Sequence, residues 1–280
     1  MIPSMLEVFM FYSTFIYEWE KFWGKKTNVL CFIAVPFIVW LACTFSLETN
    51  VKVKMTDVAF SSNMNFHITS LQEMLLTACN AITIVFISLS FNEEYRSGSL
   101  RMAYVRPISI KQVYWAKTCS LIVVILFFLA LQFLVSFLLG QFVLPHVNET
   151  ALFFREGLYS GYDVIIFSIK YYGLAFLSLL VFGAVIESIS LACKTITGTI
   201  GASLGFLFAS GLFVVMLGEF AKGSSYEHTI LSMSLLYTQA KGIAFFASGS
   251  SNVYLFTLFI QLLLFKAISY ALFTTTDYFE

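Results

Sequence analysis

The chain has 280 residues, 59% of them hydrophobic and 11% charged, and its 16 basic and 16 acidic residues cancel to zero net charge. Soluble domains carry roughly 25% charged residues, so a water-soluble fold would expose more apolar surface than it could hide, a difficulty that lipid removes. With zero net charge, nothing suggests a basic nucleic-acid-binding surface, and no nucleic acid is expected as a partner.

Residues 1–28 come first, and 5–23 predict a helix. Glu7, Thr14, Glu18, Lys21 and Lys25 track one of its faces, while Phe9, Phe15, Ile16, Trp19, Phe22 and Trp23 supply apolar bulk elsewhere. The expectation is an amphipathic helix lying in the membrane interface, its charges in water. No cleavable signal peptide is read here, because the first apolar run follows a charged stretch and lacks small residues at a cleavage site.

A spanning helix needs about 20 apolar residues, since roughly 30 Å of hydrocarbon is crossed at about 1.5 Å per residue. Windows of that kind predict six spans, at 29–47, 74–92, 110–144, 171–193, 195–218 and 252–273. The predicted class is an all-α polytopic membrane protein with one transmembrane domain over 29–273 and a short tail over 274–280. The run 242–250 is uncharged but rich in Gly and Ser, which favours an interfacial or re-entrant segment over a seventh span.

Orientation follows from Lys and Arg. With both termini inside, the inner segments hold ten of the sixteen basic residues and the outer segments six, so N-in and C-in is the expected topology. The cysteines Cys31, Cys43, Cys79, Cys119 and Cys193 lie in or beside apolar runs and read as small hydrophobes. His67, His146 and His228 are far apart, so no metal site is expected.

The most polar inner segment is 92–112. It carries three of the four arginines, Arg96, Arg101 and Arg106, together with Glu93 and Glu94. Ser97-Gly98 predicts a helix break, 100–105 a short helix, and Pro107 its stop. Ser109 and Gln112 form a capping box from which the third span restarts at about Ile110. A plain connection needs only a few residues, so this order of break, helix, stop and cap points to a docking platform as well as a topology signal.

The succession Glu94, Arg96, Gly98, Leu100, then Arg106-Pro107-Ile108-Ser109, then Lys117 resembles the inner loop of type-2 ABC exporter permeases. That family shows a Glu, a Gly-[ST]-Leu step, a Pro-[IVL]-Ser step and a later Lys. The wider arrangement is similar too: an interfacial helix, six spans and a long outer segment before the sixth. The resemblance implies a coupling helix that docks on a separate ABC ATPase, with Glu93, Glu94, Arg96, Gly98, Leu100, Arg101, Arg106 and Pro107 as the contact candidates. It also implies a second permease copy or related permease, export of a hydrophobic or amphipathic cargo (peptide, drug or lipid), and a multi-pass place in a bacterial cytoplasmic membrane. The ending Thr274-Thr275-Thr276-Asp277 departs from the family's more basic tail. No Walker A loop is present, so this chain is expected to be no enzyme and to bind no cofactor, with ATP and Mg held by the partner.

Inside the spans, Gly198, Gly201 and Gly205, with a G-x-x-x-G step, suit either a dimer interface or packing within the subunit. Glu187 is the one acid well inside a predicted span; an acid there is costly, and both a substrate or gating role and an inner-interface charge fit it. Gln132 and Gln261 read as interhelical hydrogen-bonding residues. An intramembrane glutamate peptidase is the competing enzyme reading of Glu93-Glu94, but its E-E-x-x-x-R pattern meets Gly98 where the arginine belongs. A non-transporting sensor or immunity protein on the same scaffold is the other alternative.

Overall fold

The computed structural model describes residues 5–97, 109–193, 195–224 and 226–275, with side chains described at all of these except 5–8 and 93–97. Helix α1 (Met5–Trp23) turns at Gly24 into α2 (Lys26–Asn50). The wholly buried Asn28 fixes that corner by donating its side-chain amide to the Phe22 carbonyl at 2.9 Å. Next come α3 (Phe66–Met74), a π-helical turn (Leu75–Cys79) and α4 (Asn80–Ser97), which run on without interruption. Helix α5 (Ile110–Val143) is followed by a two-stranded antiparallel hairpin of β1 (Thr150–Ala151) and β2 (Leu158–Tyr159), in which Thr150 pairs with Tyr159. Helices α6 (Gly161–Cys193) and α7 (Ile196–Ala221) lead to the short α8 (Glu227–Ser232) and α9 (Leu235–Tyr237), a second π-helical turn (Thr238–Gly242) and α10 (Ile243–Ser248). Helix α11 (Val253–Thr275) completes the described fold.

Among the described residues, six helices are long and apolar enough to cross a membrane: α2, the stretch Phe66–Asn92, α5, α6, α7 and α11. The protein is an all-α polytopic membrane protein. Six crossings put α1, the end of α4, the start of α5 and the end of α11 on one face, here the terminal face; the hairpin and the short helices α8–α10 cap the opposite face.

Two spans begin well before their predicted starts at residues 74 and 171. The second begins at Phe66, where His67, Thr69 and Ser70 lower the apparent hydropathy yet are buried against protein. The fourth begins at Gly161. Asp163 sits in its first turn and accepts the Ser160 hydroxyl at 3.1 Å, while exposed Lys170 has an aliphatic stem long enough to carry its charge toward the membrane edge. Polar residues that a protein neighbour satisfies look like loop in a sequence.

Burial differs sharply among the spans. In α6, 72% of the most apolar stretch lies inside the protein, against 11% in α11 and 6% in α7, so α6 is the central post and α7 lies at the periphery. The segment 242–250 forms part of the opposite-face cap: Ile243, Ala244 and Ala247 are buried, and Gly249, at φ 85°, ends α10 in the left-handed conformation that glycine adopts without steric cost. The hairpin latches onto this cap through Phe154, whose ring stacks on Phe245 with centroids 3.9 Å apart, and through Arg155, whose Nε donates to the Ser248 carbonyl at 3.3 Å.

The polar stripe of α1 corrects the expectation of charges in water. Thr14 and Glu18 are buried in the protein, whereas Phe9, Tyr12 and Tyr17 on other faces are exposed. The reason is a cation waiting on α5.

Candidate functional site

The functional region begins at the end of α4 and the start of α5, which flank residues 98–108. Of the docking candidates, Glu93, Glu94 and Arg96 lie on the backbone of α4's last turns, and Gly98, Leu100, Arg101, Arg106 and Pro107 lie outside the described residues. On the far side of the loop, Ser109 caps α5. Its hydroxyl accepts from the Gln112 amide, and its own amide donates to the Gln112 side chain, each at 3.3 Å. This reciprocal capping box satisfies two amide donors that a helix start leaves open.

Two turns beyond that cap stands Lys117, 1% exposed. Its Nζ donates to Glu18 Oε2 on α1 at 2.8 Å and to the Ser90 carbonyl on α4 at 3.1 Å, and it lies 5.5 Å from the centre of the Phe91 ring. One residue earlier on α4, the Leu89 carbonyl accepts from Lys25 Nζ at 2.6 Å. A helical carbonyl has a second lone pair beyond its intrahelical bond, so two lysines can grip consecutive carbonyls without unwinding α4. Removing one partner of a buried ion pair strands the other charge at a cost of about 3–5 kcal/mol, so Glu18 and Lys117 depend on one another.

One turn earlier on α5 stands Tyr114, fully buried, whose hydroxyl lies 2.8 Å from Ser269 Oγ on α11. Glu187, on α6, takes both its carboxylate oxygens to Lys266 Nζ at 2.7 Å and also accepts from Ser269 at 3.4 Å. An acid deep in α6 and the one lysine of α11 thus neutralise one another, which is how a charge becomes tolerable at membrane depth. Beside this pair lies a cavity of about 210 Å³ bounded by Ile87, Thr118, Gly183, Glu187 and Lys266.

Asn92 joins the remaining helices. Its side-chain carbonyl accepts the Ser190 hydroxyl of α6 at 2.9 Å, and its amide donates to Thr199 Oγ1 and to the Thr195 carbonyl at 3.1 Å at the start of α7. The contacts form a circuit: α5 holds α1 and α4 through Lys117, α4 holds α6 and α7 through Asn92, α6 holds α11 through Glu187, and α11 returns to α5 through Ser269 and Tyr114. The end of α4 and the start of α5, which flank residues 98–108, belong to this collar.

The remaining sequence candidates lie elsewhere. Gln132 donates to Ser70 Oγ at 3.0 Å and accepts from the Tyr172 hydroxyl at 2.8 Å, bridging α3, α5 and α6. Gln261 donates to the Met233 carbonyl of the opposite-face cap at 3.0 Å. Among the described residues, a side chain added at Gly201 or Gly205 would meet nothing within 4 Å; at Gly198 it would meet the Thr195 hydroxyl at 2.7 Å. Among the described residues no cluster of three His, Cys, Asp or Glu side chains suits a metal, and all five cysteines are free thiols.

Sequence reasoning missed Asn92, Tyr114, Ser269 and the inward role of Glu18. It treated Lys266 as a topology signal. The usable clue was complementary: Glu187 and Lys266 are single opposite charges in apolar spans, at comparable distance from their terminal-face ends.

A family model described as "ABC-2 family transporter protein" matches residues 14–161, just over half of the chain and inclusive of Glu18, Asn92, loop 98–108 and Lys117. No curated protein matches.

Proposed function

Since this chain belongs to the ABC-2 transporter family as a multi-pass membrane permease of an ABC transporter, we propose that loop 98–108 is the point at which a separate ATPase chain, carrying ATP and Mg, drives it. In this reading the terminal face is cytosolic, α1 lies along the membrane interface, and Glu93, Glu94, Arg96, Gly98, Leu100, Arg101, Arg106 and Pro107 form the docking surface. Two permease copies, or this one with a related permease, enclose the path, and a hydrophobic or amphipathic cargo is exported across a bacterial cytoplasmic membrane.

The observation that carries this reading is the collar at the loop's root. Force delivered to a loop moves helices only if the loop is stiffly joined to them; otherwise the loop itself yields. Lys117 ties the helices on both sides of the loop to each other and to α1, and Asn92 extends the tie to α6 and α7. A push on the loop would then tilt several helices as one body, as rigid-body switching requires. The peripheral α7, with 6% of its most apolar stretch buried within the chain, supports a second copy, because its apolar surface and the open Gly201 and Gly205 permit close helix approach.

The experiment is co-purification with a cytosolic ATPase. Arg101→Glu and Leu100→Asp are each expected to abolish association and the permease-stimulated fraction of ATP hydrolysis. Association and stimulation that both survive the two changes would overturn the docking assignment.

A further inference from the structure

The second span begins at Phe66, ahead of its apolar run, and this brings Glu73 inside the membrane. The contact of His67 Nε2 with Ser168 Oγ, at 2.6 Å, sets His67 level with Ser168 on α6. On either side of Ser168, Ile165 and Ile169 are 60% and 69% exposed, so hydrocarbon already surrounds that level. Glu73 lies about 9 Å deeper still, at about 1.5 Å per residue.

Glu73 is exposed, and among the described residues its carboxylate has no ion-pair or hydrogen-bond partner. An acid left to acyl chains is costly, and acids at such depth face protein or water-filled space. The second span packs against α2, α5, α6 and α7 yet leaves one line open. Along it Glu73, Thr77 and Ala81 are exposed, and Val85 and Leu89 half-buried. Steps of four residues keep these side chains on one face. Polarity is graded along the line, with an acid and a hydroxyl nearest the opposite face and hydrocarbon groups toward the terminal face. Thr77 turns its hydroxyl back to the Glu73 carbonyl at 3.4 Å, within the π-helical turn Leu75–Cys79, an irregularity frequent at functional sites.

We propose that this line binds a cationic amphiphile as the transported cargo, its ammonium on the Glu73 carboxylate and its hydrocarbon body along Ala81, Val85 and Leu89. One carboxylate supplies the counter-charge that an organic cation requires once it leaves water. A hard metal ion asks for about six oxygen ligands or more, and among the described residues no cluster of three His, Cys, Asp or Glu suits one. A second copy of this chain is a poorer partner. Its Lys117 and Lys266 are held by Glu18 and Glu187, which leaves exposed Lys170 as the cation it would bring, an alternative that the test below decides. The inference rests on the permease reading and narrows its cargo to cationic amphiphiles. Binding is measured on the permease alone without nucleotide, so its failure leaves the docking assignment untouched.

The test uses the full chain in dodecyl maltoside micelles, whose head group carries no charge to compete. Two photoactivatable probes of one chain length are compared, a diazirine-bearing dodecyltrimethylammonium and the matching dodecyl methyl ether. The ammonium is expected to label the stretch 73–89, competed by unlabelled dodecyltrimethylammonium, and to exceed the ether by about tenfold or more, the worth of one charge-assisted contact. Glu73→Gln removes that preference, leaves labelling by the ether in place and keeps Tm, because the side chain is exposed; Glu73→Asp retains part of the preference. Equal labelling by the two probes, or a preference that survives Glu73→Gln, overturns the proposal. So does a disulfide between copies that forms when Glu73→Cys and Lys170→Cys are combined and in neither single variant, since Glu73 would then face the second copy.

Discussion

Lys117 and Glu18 stand 99 positions apart in the chain and meet at 2.8 Å with both side chains enclosed. The contact turns an amphipathic leader into part of the bundle. It also explains why α1 presents Phe9 and Tyr12 outward and its acid inward: a buried ammonium needs a carboxylate more than that carboxylate needs water.

Lys117→Met should therefore destabilise the protein by about 3–5 kcal/mol, because Glu18 is left buried without its counter-charge. The double change Lys117→Met with Glu18→Leu should regain more than half of that loss. Thermal unfolding of the purified protein, followed by tryptophan fluorescence, measures both. A double variant no more stable than the single one would show that the pair is not the structural unit.

Two glycines should respond in opposite directions to alanine. At Gly242 an added Cβ would lie 2.5 Å from the Tyr254 ring, and such overpacking costs about 1–3 kcal/mol. At Gly201 it would meet nothing within 4 Å, so Gly201→Ala should be neutral or gain about 1 kcal/mol of helix propensity. Gly201→Ile should leave the isolated chain folded while weakening self-association in cross-linking. Unchanged cross-linking would place any second copy on another surface.

Asn80, the residue just after the first π-helical turn, and Gln239, inside the second, exchange two side-chain hydrogen bonds at 2.8 and 3.1 Å. Single changes to leucine should cost about 1–3 kcal/mol each, since the surviving amide is orphaned in a buried site. The double leucine variant should be milder than the sum of the two. If the joint also opens during transport, the double variant should keep its fold yet alter transport in proteoliposomes with the ATPase partner.

The terminal face should be closed to reagents from outside the cell. Ser99→Cys is expected to resist a membrane-impermeant maleimide in intact cells, while Asp57→Cys on the opposite face reacts within minutes, both judged against the unsubstituted protein. Labelling of Ser99→Cys from outside would reverse the orientation and with it the docking proposal.

The amino-acid sequence by itself determined the class, the six crossings and the capped restart at Ser109. These depend on local quantities: apolar length against bilayer thickness, and a capping box four residues long. The motif from Glu94 to Lys117 likewise marked the family within one short stretch. Tertiary structure alone decided where the second and fourth spans begin, because His67, Thr69, Ser70 and Asp163 are polar residues whose membrane fitness depends on a neighbour. It alone paired Glu18 with Lys117 and Glu187 with Lys266, and it turned α1's polar face inward. A lone charge in an apolar helix has one cheap solution, an opposite charge within reach, and which one is within reach is a matter of packing, not of order along the chain.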